Sequence, residues 1–466
     1  MVFSSILFLF GFLPIALGLY YIVPKSLKNI ILLIVSLIFY AWGEPVYVFL
    51  MLFTIVFDFY MAIFMEKQSE IDRKRLFILT IIINLGILFF FKYWGFLLDT
   101  INQIFNLTIT YHQLPLPIGI SFYTFHILSY FIDIYMKKAP VQKNIVSFGL
   151  YITMFPQLMA GPIIRYTDIN EQLTNRTVTQ EKFGIGVERF IQGLGKKVLI
   201  ANNIGYIWTI TESINAGELS VLMAWIGIIA FTFQIYFDFS GYSDMAIGLA
   251  KMFGFDYLEN FNYPYISKSV SEFWRRWHIS LGTWFREYLY IPLGGNRVPI
   301  PRLFFNLCVV WFLTGLWHGA SWNFVIWGLY YGFLLFIEKV FLKNYLERIP
   351  AFFQHFYTML AVIIGWVFFT SPDLGFALHY LSVMFFMSGA PLIDTNGIYY
   401  LYTNLILLVI CVVCSTPIVH RQYSKILHSE KRWVVPFGLG LNSVIMFLSV
   451  AYLVTETYNP FLYFRF

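Results

Sequence analysis

Three polar clusters interrupt an otherwise apolar sequence of 466 residues, and each holds residue types that could do chemistry. The first is His318, in TGLWHGASWN, at the middle of an uncharged run from Leu303 to Ile337. One helix through that run would be about 52 Å long, against a hydrocarbon core of about 30 Å, so a break is expected near Gly315 and Gly319. The arms come to about 22 and 28 Å, and the first is too short to cross, which places the turn and His318 within the membrane. A neutral imidazole accepts a proton or attacks a carbonyl. The plainer reading is a structural histidine bonded to a neighbouring helix; the cost of an ionisable group at membrane depth favours function.

The second cluster is FWRRWHISLGTWFREYLYIPLGGNR, residues 273–297, with Trp274, Arg275, Arg276, His278 and Arg286 close together. Guanidinium groups bind phosphate bidentately, so these would suit a phosphate-bearing ligand such as coenzyme A. The alternative is an interfacial helix with an aromatic belt and snorkelling arginines, and composition alone favours it. The third cluster is QIYFDFSGYSDMAIGLAKMFGF, in which a helix is expected to end near residue 239 and turn at Gly241. Ser240 and Ser243 then read as helix caps, whereas Asp238 precedes the turn and faces inward, where it could orient a histidine or arginine.

Other polar residues carry less. His126 lies seven residues before Asp133 on one helix and is expected to be packed and hydrogen-bonded. His112, His355, His379, His420 and His428 sit in loops or at span ends. No histidine pair has the spacing of a metal site, and no metal or cofactor is expected. GIGVERFIQGLGKK lacks the phosphate loop of an ATP-driven pump. Cys411 and Cys414 lie in an apolar run with no basic neighbour, which reads as packing.

The elements that hold these clusters belong to a membrane. The chain is 59% hydrophobic and only 12% charged, where a soluble domain has about 25% charged residues. Soluble enzymes, disordered chains and disulfide scaffolds are excluded, and a net charge of +6 argues little for nucleic acid. Apolar segments predict helices near 4–23, 29–43, 46–65, 76–99, 117–136, 198–211, 221–239, 303–317, 319–337, 351–370, 398–418 and 434–456, hence an all-α polytopic protein with about 11 to 12 spans. The N-terminal stretch reads as a first span, not a removed signal.

Lys25 and Lys28 follow the first span, Lys67, Arg73, Lys74 and Arg75 the third, and Lys137, Lys138 and Lys143 the fifth. Odd spans therefore end in the cytoplasm, and both termini lie outside. A full crossing at 145–160 would put a basic segment outside, so that stretch is expected to be re-entrant, broken at Pro156, Gly161 and Pro162, with 140–198 cytoplasmic. Residues 240–302 are expected to lie in or dip into the cytoplasmic interface, and 420–432 forms a basic cytoplasmic loop. The external loops, such as 211–220 and 371–397, are short.

PLPIGISFYTFHILSYFIDIY, MFPQLMAGPIIRY, QIYFDFSGYSDMAIGLAKMFGF, ENFNYPYISKSVSEFWRRWHISLGTWFREYLYIPLGGNR and LTGLWHGASWNFVIWG, spanning 115–330, resemble the bacterial membrane-bound O-acyltransferases (MBOAT) of the alginate and peptidoglycan O-acetylation branch. The resemblance implies one domain over 1–466: N-terminal helices over 1–100, a motif-bearing core over 115–340 and C-terminal helices over 351–466. It implies a helical fold with a cytoplasmic funnel, in the bacterial inner membrane. His318 matches the family's catalytic histidine and His278 its second characteristic histidine. Asp238, Trp317 and Asn323 become supporting candidates, and Trp274, Arg275, Arg276 and Arg286 donor-binding ones. The implied activity passes acetyl from cytoplasmic acetyl-CoA across the membrane to a polysaccharide, with an extracytoplasmic SGNH-type partner transferase. The alternatives are D-alanyl transfer from a carrier-protein thioester to teichoic acid, and a non-enzymatic transporter; the latter would need paired inverted halves, and only one broken hairpin is evident.

Overall fold

The computed structural model describes residues 1–112, 114–214, 217–427 and 433–456. His428, Lys431 and Arg432 of the basic loop, residues 215–216 of the external loop and the end of the C-terminal block at 457–466 lie outside the described residues. All regular structure among the described residues is helical, as it must be where no water is at hand to satisfy the backbone.

Among the described residues, eight helices are long and apolar enough to cross a membrane: Lys25–Gly43, Tyr47–Glu66, Glu70–Lys92, Val221–Met252, Ile300–His318, Trp322–Leu346, Ala351–Thr370 and Val434–Thr455. Thr395–Thr403 and Leu405–Cys414 would together make a ninth, bent by 57°. The eleven to twelve expected spans exceed the eight or nine that helix length and composition give among the described residues, because the apolar segments of the sequence also include shorter helices. Ile120–Tyr135 has 16 residues, which is about 24 Å, and is buried along almost its whole length.

The chain divides into two compact units, Met1–Phe190 with Ser243–Leu258, and Ile191–Tyr242 with Glu259–Phe466. In the first, Ser69 accepts from the Asp72 N–H and starts Glu70–Lys92 directly after Tyr47–Glu66. Buried Asn84 donates to Asp58 at 2.9 Å across this hairpin. Ile145–Thr153 starts on the Asn144 side chain and is broken at Met154, ahead of Pro156. Its nine residues reach about 14 Å, too short to cross. Gly119, at φ +77°, enters Ile120–Tyr135 where a Cβ would stand 2.7 Å from the Leu158 carbonyl oxygen. His126 is buried against the Tyr151 ring, with neither ring nitrogen hydrogen-bonded among the described residues. The expected bonds go to its backbone instead, since Ser129 and Tyr151 both donate to the His126 carbonyl.

Val221–Met252 is one helix of 32 residues. The expected end at residue 239 and the turn at Gly241 are therefore absent, and Ser240 and Ser243 are not caps. Gly241 serves packing: a Cβ there would sit 2.7 Å from the Gly193 carbonyl oxygen. In the second unit, residues 259–290 do not lie as a surface belt. They fold into short helices, Val270–Arg276 and Ile279–Phe285, that bury Phe273, Trp277, His278 and Leu281.

Candidate functional site

The broken hairpin is built from small residues. Ile300–His318 and Trp322–Ile337 are separated by Gly319–Ser321, and Gly315 with Gly319 and Gly328 with Gly332 repeat a four-residue spacing on the two arms. A Cβ on Gly315 would stand 2.3 Å from the Phe324 carbonyl oxygen, and one on Gly328 2.2 Å from that of Trp311. The backbones touch because side chains are missing, the small-xxx-small solution for helices in lipid. The break is where it was expected, but the first arm begins at Ile300, not Leu303. Its 19 residues extend about 28 Å, enough to cross. The length argument that put His318 inside the membrane therefore fails, although the residue is buried.

His318 ends this helix inside an aromatic wall. Its ring lies 5.0 Å from Trp317, 5.0 Å from Trp327 and 5.2 Å from Phe369, all edge-on. Asn323 fastens the second arm by donating to the Ser371 and Phe368 carbonyls at 2.8 and 3.3 Å. Trp317 also meets the ring of His278, at 5.9 Å, so one indole touches both histidines.

His278 sits between two seven-residue helices in the left-handed region, at φ +44°, a costly conformation for a non-glycine residue that must be held by its surroundings. Asn260 holds it. The Ile279 N–H donates to the Asn260 carbonyl at 2.9 Å, and the Ser280 N–H and Oγ donate to Asn260 Oδ1 at 3.2 and 2.9 Å. His278 Nδ1 lies 3.1 Å from the same Oδ1. On the other side, the Glu338 carboxylate accepts from the N–H groups of Val270 and Ser271 at 2.6 and 2.8 Å and fixes the preceding helix. Burial pushes the His278 imidazole down to about 3, so it is neutral.

A cavity of about 460 Å³ opens beside His278. Its polar lining carries Arg275, Arg286 and Lys339, with Trp274 and Tyr290 between them. One wall is a stripe of Ile300–His318, formed by Leu307, Val310, Trp311 and Thr314. His318 lies four residues beyond Thr314, one turn or about 6 Å further along the helix. The arrangement is a basic, aromatic-lined recess beside His278, walled on one side by the helix that ends at the buried His318.

The family model of the membrane-bound O-acyltransferases, MBOAT, matches residues 136–381. The chain belongs to that family. It is an acyltransferase and a polytopic membrane protein. Among relatives, it is 42% identical over 409 residues to the probable alginate O-acetylase AlgI of Pseudomonas aeruginosa, covering 85% of this chain and 77% of that one. It is 34% identical over 428 residues to the peptidoglycan O-acetyltransferase of Helicobacter pylori, covering 84% and 81%. The teichoic acid D-alanyltransferase of Bacillus subtilis is more distant, 29% identical over 272 residues and covering 54% and 66%.

Within this MBOAT chain the candidates separate. Trp274, Arg275, Arg286 and His278 line one cavity, and Trp317 joins His278 to His318. Arg276 does not line it: its guanidinium pairs with Glu272 at 2.9 Å and donates to the Asn262 carbonyl. Asp238 does not line it either. It forms a buried ion pair with Lys197 at 2.6 Å, and Lys197 also donates to Asn202 at 2.9 Å. Sequence reasoning missed Asn260, Glu338, Lys339 and Thr314. Asn260 stands inside a quoted motif and Lys339 just after the uncharged run, yet nothing in spacing links positions 260, 278 and 338.

Proposed function

We propose that this chain takes acetyl from cytoplasmic acetyl-CoA and passes it to the acceptor side for O-acetylation of a surface or exported polysaccharide. The single observation that carries the reading is the basic cavity beside His278, whose wall continues to His318. Arg275, Arg286 and Lys339 engage donor phosphates, while the apolar stripe from Leu307 to Thr314 accepts the pantetheine arm. His318 then acts as general base or as transient acyl acceptor. In either form the carbon–sulfur bond breaks, a carbon–oxygen bond forms on the acceptor, and the hydroxyl proton ends on the coenzyme A thiol. His278 orders the groups around the donor. The basic segments face the cytoplasm on the positive-inside pattern, in a bacterial inner membrane. The short external loops suit delivery to an extracytoplasmic SGNH-type transferase that grips the glycan.

The test uses the chain in proteoliposomes with labelled acetyl-CoA or a labelled acetyl carrier-protein thioester. Turnover of acetyl-CoA, with glycan labelled only when a partner transferase is supplied, is expected. Turnover of the carrier thioester alone overturns the donor assignment, and full glycan labelling without a partner overturns the division of labour.

A further inference from the structure

Lys28 and Arg176 converge on one tyrosine in the first unit, with no carboxylate bonded to either. Lys28 Nζ stands 4.6 Å from the centre of the Tyr20 ring and 5.2 Å from that of Tyr21. The Arg176 guanidinium carbon stands 5.8 Å from the Tyr20 ring and 4.3 Å from that of Phe255. Arg176 spends its Nε on Tyr20 Oη and the Phe253 carbonyl, at 3.1 and 3.2 Å, and its Nη1 on the Leu173 carbonyl at 3.4 Å. Its Nη2 and the whole Lys28 ammonium have no hydrogen-bond partner among the described residues. The nearby acid, Asp256, is engaged by Lys182 and Lys251.

Two cations held on one ring repel each other, and an anion offering several oxygens relieves that repulsion while taking the unused N–H groups. The surroundings say where such an anion comes from. Ile15, Leu19 and Ile22 are exposed at 64%, 45% and 84% and recur at i, i+4 and i+7 on Phe8–Ile22, an apolar stripe that ends beside Tyr20 and Tyr21. An acyl chain on that stripe brings its phosphate to the cation pair, at the start of the Lys25–Gly43 span. We propose that Lys28 and Arg176 bind the phosphate of an anionic phospholipid. The same tyrosines donate to the carbonyls at the end of the Val221–Met252 helix, Tyr20 to Phe253 at 2.7 Å and Tyr21 to Met252 at 2.6 Å. Occupancy therefore braces that helix end, independently of how the acyl group is transferred.

The experiment is lipid titration of the full chain, delipidated in a neutral detergent, read by native mass spectrometry and thermal midpoint. The probes are phosphatidylglycerol, phosphatidylcholine and inorganic phosphate. A saturable adduct with phosphatidylglycerol, at least tenfold tighter than with phosphatidylcholine and accompanied by a raised midpoint, is expected. Lys28→Gln removes no hydrogen bond from the fold and should weaken phosphatidylglycerol about tenfold, the loss of one close charge pair. Lys74→Gln, an exposed control, should change nothing. Equal binding of the two lipids, or Lys28→Gln binding like the native chain, overturns the site. Saturation by inorganic phosphate with no added effect of the lipid overturns the lipid assignment.

Discussion

His278 Nδ1 and Asn260 Oδ1 stand 3.1 Å apart, and that contact fixes the protonation of the histidine. The Ser280 N–H, which can only donate, points at the same atom of Asn260 at 3.2 Å. The atom is therefore the amide oxygen, and Nδ1 must be the nitrogen that carries the proton. Nε2 keeps its lone pair, buried and without a hydrogen-bond partner among the described residues. An acceptor nitrogen is thus aimed away from its brace, in a ring that touches Trp317.

Asn260→Ala removes that brace. A buried donor left without its partner costs about 1–3 kcal/mol, so turnover should fall by about tenfold or more, with a smaller change in donor KM. Asn260→Asp, which keeps the acceptor, should recover part of the loss. Steady-state kinetics of both variants in detergent checks this.

The glycine seam of the hairpin should tolerate no added carbon. Gly315→Ala and Gly328→Ala force a methyl against a backbone carbonyl, and overpacking of this kind costs about 1–3 kcal/mol. The thermal midpoint should drop and activity should fall with it, because the seam sets the position of His318. Gly440→Ala, at a position with nothing within 4 Å, is the control.

The fold class and the broken hairpin around His318 were legible in the sequence, for physical reasons that also mark the limit. Apolar composition reveals lipid-facing helices, and the length of 303–337 with glycines at its centre forces a break. Those signals are local. They do not tell that Ile120–Tyr135 is buried in protein, that Gly241 packs within a helix, or that Arg276 turns to Glu272 while Arg275 lines the cavity. The length argument for the depth of His318 fell because Ile300–Arg302 extend the helix beyond the apolar run. The roles of Asn260 and Glu338 arise from contacts 18 and 68 residues apart in sequence.

Asp238 and Lys197 should behave as a structural pair. Breaking a buried ion pair from one side costs about 3–5 kcal/mol, whereas replacing both partners with apolar residues of similar volume is often neutral. Asp238→Leu alone should lower expression and the thermal midpoint. Lys197→Met with Asp238→Leu should restore folding and keep substantial turnover, as measured on the folded fraction.

The neutral His278 gives stability a pH dependence of definite sign. Its folded-state value of about 3 lies below the ordinary value of about 6.5, so below that pH the unfolded chain takes up a proton that the folded chain refuses. This contribution to stability is complete above about 6.5 and is lost as pH falls toward 3. His278→Gln should flatten the acid side of the thermal-midpoint profile.

Arg275→Gln and Lys339→Gln should raise the KM for acetyl-CoA several-fold with little change in kcat, and weaken its salt dependence, because both side chains line the cavity proposed for the donor phosphates. Arg276→Gln should leave KM unchanged. A kcat and KM comparison at two ionic strengths separates these outcomes.

The most direct test of the central claim is single-turnover transfer of labelled acetyl from acetyl-CoA by the purified chain, native against His318→Ala, each shown to be folded by its thermal midpoint. The expected result is coenzyme A release by the native protein and loss of at least a thousandfold in His318→Ala, with donor binding retained through the cavity. Undiminished release of coenzyme A by folded His318→Ala would contradict the account.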